Sequence, residues 1–443
     1  MVKGAPSIMI VAGEASGDLH GASLAAELKQ MLPSAAIRGV GGRRMCEAGV
    51  ELLYDSSSWS AIGITEALKL VPRLLFAFSK LQARLRAHPP DVLILIDFGA
   101  FNVRLGRRLH ATDTKVLCYF PPSSWYRDAD YSRLSGIADR VVTPFPWSVA
   151  ALKRQGFQAD FFGHPLLDVV RPSLSQDVFH ERFEFDAERP IIALLPGSRI
   201  QEITHNLPAL LIAAARVSEE VPELQFAIPL APTLNASVIA DELGRVPWID
   251  IKAHDTSCDP APTADMAAEP FDMPNRVQAL AREEGLAAPA GKVCIHLLPG
   301  MAYDLLACSR AAVITSGTAT VEAVILDCPM VIVYRGSRLA TLEFKLRRKR
   351  IKFVGMPNII LDKAACPELI ADEASPGRIS ELLLKLIPDS PERARMLKDL
   401  AEARAVLGEP GAVQKTARVV LELLGVDTPV GSTESTYAKD NAS

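Results

Sequence analysis

The sequence predicts an α/β protein built from two doubly wound lobes, and three observations lead there. Short apolar runs alternate with amphipathic stretches along most of the 443 residues, the pattern of strands and helices in a parallel sheet. Two strand-to-helix turns of small polar residues, one around Gly13 and one around Gly317, lie about three hundred residues apart. The length suits two or three domains.

The first lobe is expected to span 1–169. Its strands fall at 7–12, 36–40, 92–96, 115–119, 140–143 and 159–162, with helices at 17–31, 65–87 and 146–155 between them. A polar, irregular stretch at 170–189 reads as the linker. The second lobe, 190–408, opens with an apolar run at 190–195 and continues with strands at 225–229, 293–297, 311–315 and 330–334. The segment 253–292, rich in Ala, Pro, Asp and Glu, breaks the rhythm and reads as an inserted surface loop, helical near 276–284. A helix at 409–427 is expected to pack back on the first lobe, and 428–443 is expected to be a disordered polar tail.

Composition narrows the function. With 49% hydrophobic and 23% charged residues the chain can fill two cores. A net charge of -4 and a pI near 6.1 argue against a nucleic-acid partner. Seven cysteines without a Cys-x-x-Cys pair indicate reduced thiols. There is no signal-peptide pattern and no apolar run of eighteen residues, so a cytosolic chain with at most peripheral membrane contact is expected.

In doubly wound sheets ligands bind outside the carboxyl ends of the strands, where the motif-bearing turns fall. Ser316-Gly317-Thr318 follows one strand and opens a helix, presenting orphan backbone N–H groups that suit a phosphate. The turn Leu195-Pro196-Gly197-Ser198-Arg199, with Glu202, holds an Arg that can grip a diphosphate by forked hydrogen bonds, although an ordinary strand–helix connection would also read this way. Glu322, one helical turn past Thr318, can accept from ribose hydroxyls or merely complement the helix dipole.

For a general base the candidate is Asp97, which ends the apolar run 92–96; partial burial there raises a carboxyl toward base range, and the competing reading is a helix cap near Phe101. His20 is the second candidate, as a substrate contact or a plain helix residue. His254, Asp255, Cys258 and Asp259 lie close in sequence but read as a solvated loop, so neither a metal nor a cofactor is expected. The stretch 64–78 is apolar almost all round; Ile64, Leu68, Val71, Leu74, Leu75 and Phe78 fit a buried helix or a lipid-facing one equally. The run Lys345–Phe353 is basic with interleaved apolar residues, as in a solvated helix or an anionic-headgroup site.

Several stretches together resemble the lipid-A-disaccharide synthase family of inverting glycosyltransferases. They are Ala12–Ala22, Gly39-Val40-Gly41-Gly42 with Met45, Gly163-His164-Pro165-Leu166, Leu195–Arg199, Ser316–Glu322, Pro329-Met330-Val331 with Tyr334-Arg335, and Pro357-Asn358-Ile359-Ile360 followed by Pro367-Glu368-Leu369. The resemblance implies a GT-B fold of two Rossmann-like lobes facing a cleft. It implies a UDP-diacylglucosamine donor held by Arg199, Glu202, Ser316, Gly317, Thr318, Glu322 and Asn358. It implies a diacylated glucosamine 1-phosphate acceptor, with Glu14, Ser16, Gly17, Asp18, His20, Asn102, Ser123 and Trp125 on its side and Asp97 as the base. It also implies that the 64–78 helix meets acyl chains or the inner face of the inner membrane.

Two motifs depart from the family pattern. Ile96-Asp97-Phe98-Gly99-Ala100-Phe101-Asn102 lacks a second carboxylate, and Pro121-Pro122-Ser123-Ser124-Trp125-Tyr126-Arg127 replaces a Trp-rich segment. Both lie on the acceptor side. Alternatives therefore stay open: a paralogue using another glycolipid acceptor, a UDP-sugar 2-epimerase, or a non-catalytic UDP-sugar or lipid binder.

Overall fold

The computed structural model describes residues 5–56, 59, 64–109, 112–254, 271–285, 291–336 and 352–426. The chain divides into two compact units. One comprises Met1–Ser60, Leu70–Pro165 and Pro410–Ser443; the other comprises Ala61–Lys69 and Leu166–Glu409.

The first unit is a seven-stranded parallel sheet in the order β3-β2-β1-β4-β5-β6-β7. Its strands are β1 (Ser7–Ala12), β2 (Ala36–Gly41), β3 (Glu51–Asp55), β4 (Val92–Ile96), β5 (Lys115–Tyr119), β6 (Arg140–Val142) and β7 (Ala159–Asp160). β1 and β4 are buried almost throughout, as central parallel strands covered on both faces must be. Alternate residues serve opposite faces: Met9 and Val11 join one core cluster, Ile8 and Ile10 the other. β3 was not foreseen because it is an edge strand with exposed ends and only half-buried Leu52, Leu53 and Tyr54 between them.

The last helix, Ala412–Leu423, completes this unit. Its Ala417, Val420 and Leu421 enter the Ile8/Ile10 cluster beside Leu24 and Leu28 of the helix Ala15–Met31.

The second unit is also a seven-stranded parallel sheet, in the order β10-β11-β9-β8-β12-β13-β14. It consists of β8 (Ile191–Leu195), β9 (Gln225–Leu230), β10 (Ile249–Ala253), β11 (Val293–Pro299), β12 (Ala311–Thr315), β13 (Met330–Tyr334) and β14 (Glu368–Ile370). The short edge strands β10 and β14 carry too little apolar pattern to be read from sequence.

The stretch 170–189 is structured rather than a free linker. It contains the helix Gln176–Arg182, buries Phe179, Phe183 and Phe185, and is pinned where the Asp304 carboxylate accepts the Ser173 and Leu174 N–H groups, both at 2.7 Å. Three aromatic residues at irregular spacing hid this apolar face. The supposed insertion is likewise partly built in. The helix Met273–Glu283 is capped by Asp272, whose carboxylate accepts the Asn275 N–H, and it buries Met273, Val277 and Leu280 against the helix Ile200–Glu220.

In each sheet the strand order reverses next to the first strand of that sheet, between β1 and β4 and between β8 and β12. At such a switch point neighbouring connections leave on opposite faces and open a crevice at the strands' carboxyl ends. The turns after these four strands contain Gly13, Asp97, Gly197 and Gly317. Among the described residues no helix is long and apolar enough to cross a membrane.

Leu421 is 4% exposed within the first unit's core. Leu421→Ala is expected to cost about 2–5 kcal/mol, as large-to-small core changes do. The check is the denaturant midpoint of the full chain; an unchanged midpoint would show that the last helix adds nothing to the fold.

Candidate active site

In the first unit the geometry centres on Asp97. The chain leaves β4 through three consecutive residues in the left-handed region, Asp97 (φ 42), Phe98 (φ 52) and Gly99 (φ 29). Two of these are not glycine, so the loop stores backbone strain and needs external restraint. Asn102, 2% exposed, supplies it. Its amide Nδ2 donates to the carbonyls of Asp97 at 2.8 Å, Ile96 at 3.1 Å and Val11 at 3.3 Å, tying the loop to both strands of the switch point. From the other side the Asp97 N–H donates to the Phe120 carbonyl at 3.2 Å and the Tyr119 carbonyl at 3.3 Å. Burial raises the Asp97 carboxyl to about 6, helped by the nearby Glu14 charge and opposed by the Phe98 N–H. A carboxyl with that value is ionised at neutral pH yet still basic enough to take a proton.

The other first-unit residues divide. Glu14 is exposed at the start of the helix Ala15–Met31, and Ser16 is half-buried in its first turn. Gly17 is buried in that helix, packed against β1. Asp18 is a brace rather than a ligand contact, since its carboxylate accepts backbone N–H groups from Gly42 at 2.6 Å, Arg44 at 3.0 Å and Met45 at 3.1 Å. His20 is 4% exposed and stacked on Phe120 with ring centroids 4.1 Å apart. Burial, with His164 and Arg44 nearby, lowers it to about 3, so it is a neutral packing residue. Asn102 likewise acts through the Asp97 loop. Ser123 (φ 67) and Trp125 are half-buried in the loop after β5.

In the second unit the turn after β8 is organised by Glu202. Its Oε2 accepts the N–H groups of Ser198 at 2.8 Å and Arg199 at 3.3 Å, while Oε1 pairs with Arg199 Nη1 at 3.0 Å. Gly197 is required here: at φ 128, a Cβ would lie 2.3 Å from the Glu202 Cβ. Glu202 thus aims the partly exposed Arg199, and its carboxylate is committed within the turn.

In the turn after β12, the first hydrogen bonds of the following helix come from the Thr320 and Val321 N–H groups. The N–H groups of Gly317, Thr318 and Ala319 have no acceptor among the described residues, as at any helix start. Ser316 Oγ donates to the Val354 carbonyl at 2.8 Å, and the half-buried Glu322 carboxylate accepts from Tyr303 Oη at 3.4 Å.

Asn358 is 1% exposed and both ends of its amide are engaged. Nδ2 donates to the Cys366 carbonyl and to Glu368, each at 2.8 Å, and Oδ1 accepts the Cys366 N–H at 2.8 Å. It therefore braces the loop that leads to Cys366 and Glu368. Its neighbour Glu368 was missed by sequence reasoning. That carboxylate accepts N–H groups from Val354 at 3.1 Å and Gly355 at 2.8 Å, and burial raises its pKa against those bonds. Asn206, fully buried, was missed too; it donates to the Glu202 carbonyl and accepts the Arg335 N–H, both at 2.8 Å. Pro367-Glu368-Leu369 and the Asn four residues after Glu202 were the available signals.

On the helix Ile64–Ala87, Leu74 and Phe78 pack against the core together with buried Ala77, Leu81 and Leu85. They do not belong to an outward apolar face. Val71 (41%), Leu75 (56%) and Phe76 (62%) are exposed, Phe76 having been overlooked. The side chains of Ile64 and Leu68 lie outside the described residues, as do 345–351 of the basic run; Lys352 pairs with Asp362 at 2.7 Å. Among the described residues no group of three or more His, Cys, Asp or Glu could hold a metal, and His254 pairs with His296 at 3.1 Å.

The Asp97 pKa carries a stability consequence. Because the folded value lies above the ordinary 3.8, stability present at low pH is lost as pH rises through about 6. Asp97→Asn should therefore stabilise the protein by roughly 1–3 kcal/mol at about pH 8 and hardly at all at about pH 4. Denaturant melts at both pH values test this, and equal shifts at the two would contradict a raised pKa.

Comparisons with known proteins speak to the family and the fold. The lipid-A-disaccharide synthetase family model matches residues 8–252 and 276–423, leaving only 253–275 of the irregular segment unmatched between them. Lipid-A-disaccharide synthase of Geobacter sulfurreducens is 35% identical over 94% of this chain and 97% of its own length. The enzyme of Myxococcus xanthus is 35% identical over 95% and 98%. Among solved structures, the Staphylococcus aureus MnaA–UDP complex (13% identity, TM-score 0.57, 95% and 98% covered) and the calicheamicin glycosyltransferase CalG4 (14%, 0.53, 95% and 98%) share the GT-B fold of two Rossmann-like domains. The UDP-GlcNAc 2-epimerase of Neisseria meningitidis bound to UDP-GlcNAc shares it as well (12%, 0.57, 94% and 100%). At such identities the likeness speaks for the fold alone, whereas the sequence match is specific: this chain belongs to the lipid-A-disaccharide synthase family.

Proposed function

We propose that the chain is a hexosyltransferase that moves a 2,3-diacylglucosamine unit from its UDP donor to 2,3-diacylglucosamine 1-phosphate, forming lipid A disaccharide 1-phosphate and UDP. The observation that carries the reading is Asp97, held on a strained loop at a strand switch point with its carboxyl raised to about 6. Asp97 takes the proton of the acceptor hydroxyl as that oxygen attacks the donor's anomeric carbon. The bond to the diphosphate breaks on the opposite face and its electron pair leaves with UDP, so the anomeric centre inverts. Positive potential at the leaving group comes from Arg199, aimed by Glu202, and from the N–H groups at 317–319. In this reading Glu322 accepts from the ribose.

Both substrates carry acyl chains, and the exposed Val71, Leu75 and Phe76 give the protein a surface for them. Peripheral attachment to the inner face of the inner membrane follows from this reading. An epimerase of the same fold would act on the UDP-sugar alone, so UDP release that depends on the acceptor separates the two.

Asp97→Asn should lower kcat by about 10²–10⁴ while both substrates still bind. The wild-type kcat/KM should rise with pH and level off above about 6. Turnover of the Asn variant near the wild-type rate would remove Asp97 as base. Arg199→Ala should weaken UDP binding roughly tenfold or more, read by calorimetry. Leu75→Ser with Phe76→Ser should reduce flotation with lipid vesicles; full flotation would exclude this surface.

A further inference from the structure

We propose that a pocket within the first unit binds the phosphate of the acceptor through Arg104, Arg107 and Arg133. This rests on the transferase reading above and adds what the enzyme selects for. The pocket, about 690 Å³, lies between the first turns of the helix Gly99–Leu109 and the segment 122–134. Its rim includes Gly99 and Ala100, the second and third residues after Asp97.

Arg104 and Arg107 are three residues apart and so share a helix face. Arg133 joins the lining from the segment 122–134. Asp128 and Asp130 also line the pocket, leaving a formal excess of one positive charge. The Asp130 carboxylate is already engaged, its two oxygens accepting the Ser132 N–H at 2.9 Å and the Ser132 hydroxyl at 3.0 Å. Arg133 lies near enough to help hold the Asp130 carboxyl below its ordinary pKa, yet no ion pair within 4 Å joins any of the three arginines to an acidic group among the described residues.

Packing and hydrogen bonds hold the walls of this pocket. Gly106 sits against Ile137, where a Cβ would lie 2.3 Å from Ile137 Cγ2, so glycine lets the arginine-bearing helix close on the opposite wall. Arg107 Nη2 then donates to the Arg133 carbonyl at 3.3 Å across the join. Behind the wall, the Gln155 amide accepts the Tyr131 N–H at 2.8 Å and donates to the Ala129 carbonyl at 3.1 Å, and Tyr131 is 1% exposed. Guanidinium groups contributed to one pocket by two segments suit the oxygens of a phosphomonoester. A sugar with its hydroxyl at Asp97 would direct its phosphate here.

A phospholipid headgroup offers the same chemistry, so the test has separate arms. In micelles of neutral detergent, kcat/KM is measured for diacylglucosamine 1-phosphate and for the same sugar lacking phosphate. Wild type should prefer the phosphorylated acceptor. Arg104→Ala with Arg107→Ala, and Arg133→Ala alone, should each reduce that preference about tenfold or more. Asp128→Asn should increase it. Direct binding of both sugars without donor is measured in parallel and should show the same changes. Absence of turnover in wild type would overturn the transferase reading, and the binding arm would still decide the pocket. An unchanged preference in turnover and binding would overturn the pocket. So would loss of binding to anionic vesicles with acceptor preference intact, which would assign the arginines to the bilayer.

Discussion

Each half of this protein depends on a parallel sheet whose strand order turns back on itself, and everything chemical is hung on that reversal. Between β1 and β4, and again between β8 and β12, adjacent strands send their connections to opposite faces, so the backbone beyond their carboxyl ends cannot close over. Buried strands such as Val92–Ile96 make the frame rigid because they are covered on both faces. The loops that follow are left with backbone groups to satisfy and must be held by side chains.

Those side chains share one device. Asp18, Glu202 and Glu368 each accept two or more backbone N–H groups, fixing respectively the Gly42 loop, the Gly197–Arg199 turn and the Val354–Gly355 loop. Asn206 and Asn358 do similar work with amides that satisfy a donor and an acceptor together, whereas Asn102 works only through the donors of its Nδ2. Acidic and amide residues that look like ligand contacts in a motif are therefore often the frame around the contacts. The helix-start N–H groups at 317–319, by contrast, have no backbone acceptor among the described residues.

Asp97 carries two costs to stability at once. Its loop is strained and its carboxyl is partly desolvated, both unfavourable for folding. The same two conditions keep a carboxylate basic and hold it in one place. Three hydrogen bonds from Asn102 and two from the Asp97 N–H supply the restraint.

Sequence alone determined the two α/β units, their central strands, the strand-end turns and the place of Asp97 at the end of β4, because long apolar runs and glycine-bearing turns are local signals set by burial and backbone sterics. It did not reveal the edge strands β3, β10 and β14, whose half-exposed residues lack a strong period. Nor did it reveal that 170–189 is anchored by Asp304, since that contact joins positions 131 residues apart. Only the tertiary structure decided that Asp18, Glu202 and Asn358 are braces, that His20 is buried and neutral, and that Leu74 and Phe78 face the core while Leu75 and Phe76 face out. A residue type states what a side chain is able to do. Which of those capacities is used depends on the donors, acceptors and apolar surface that folding brings from distant parts of the chain.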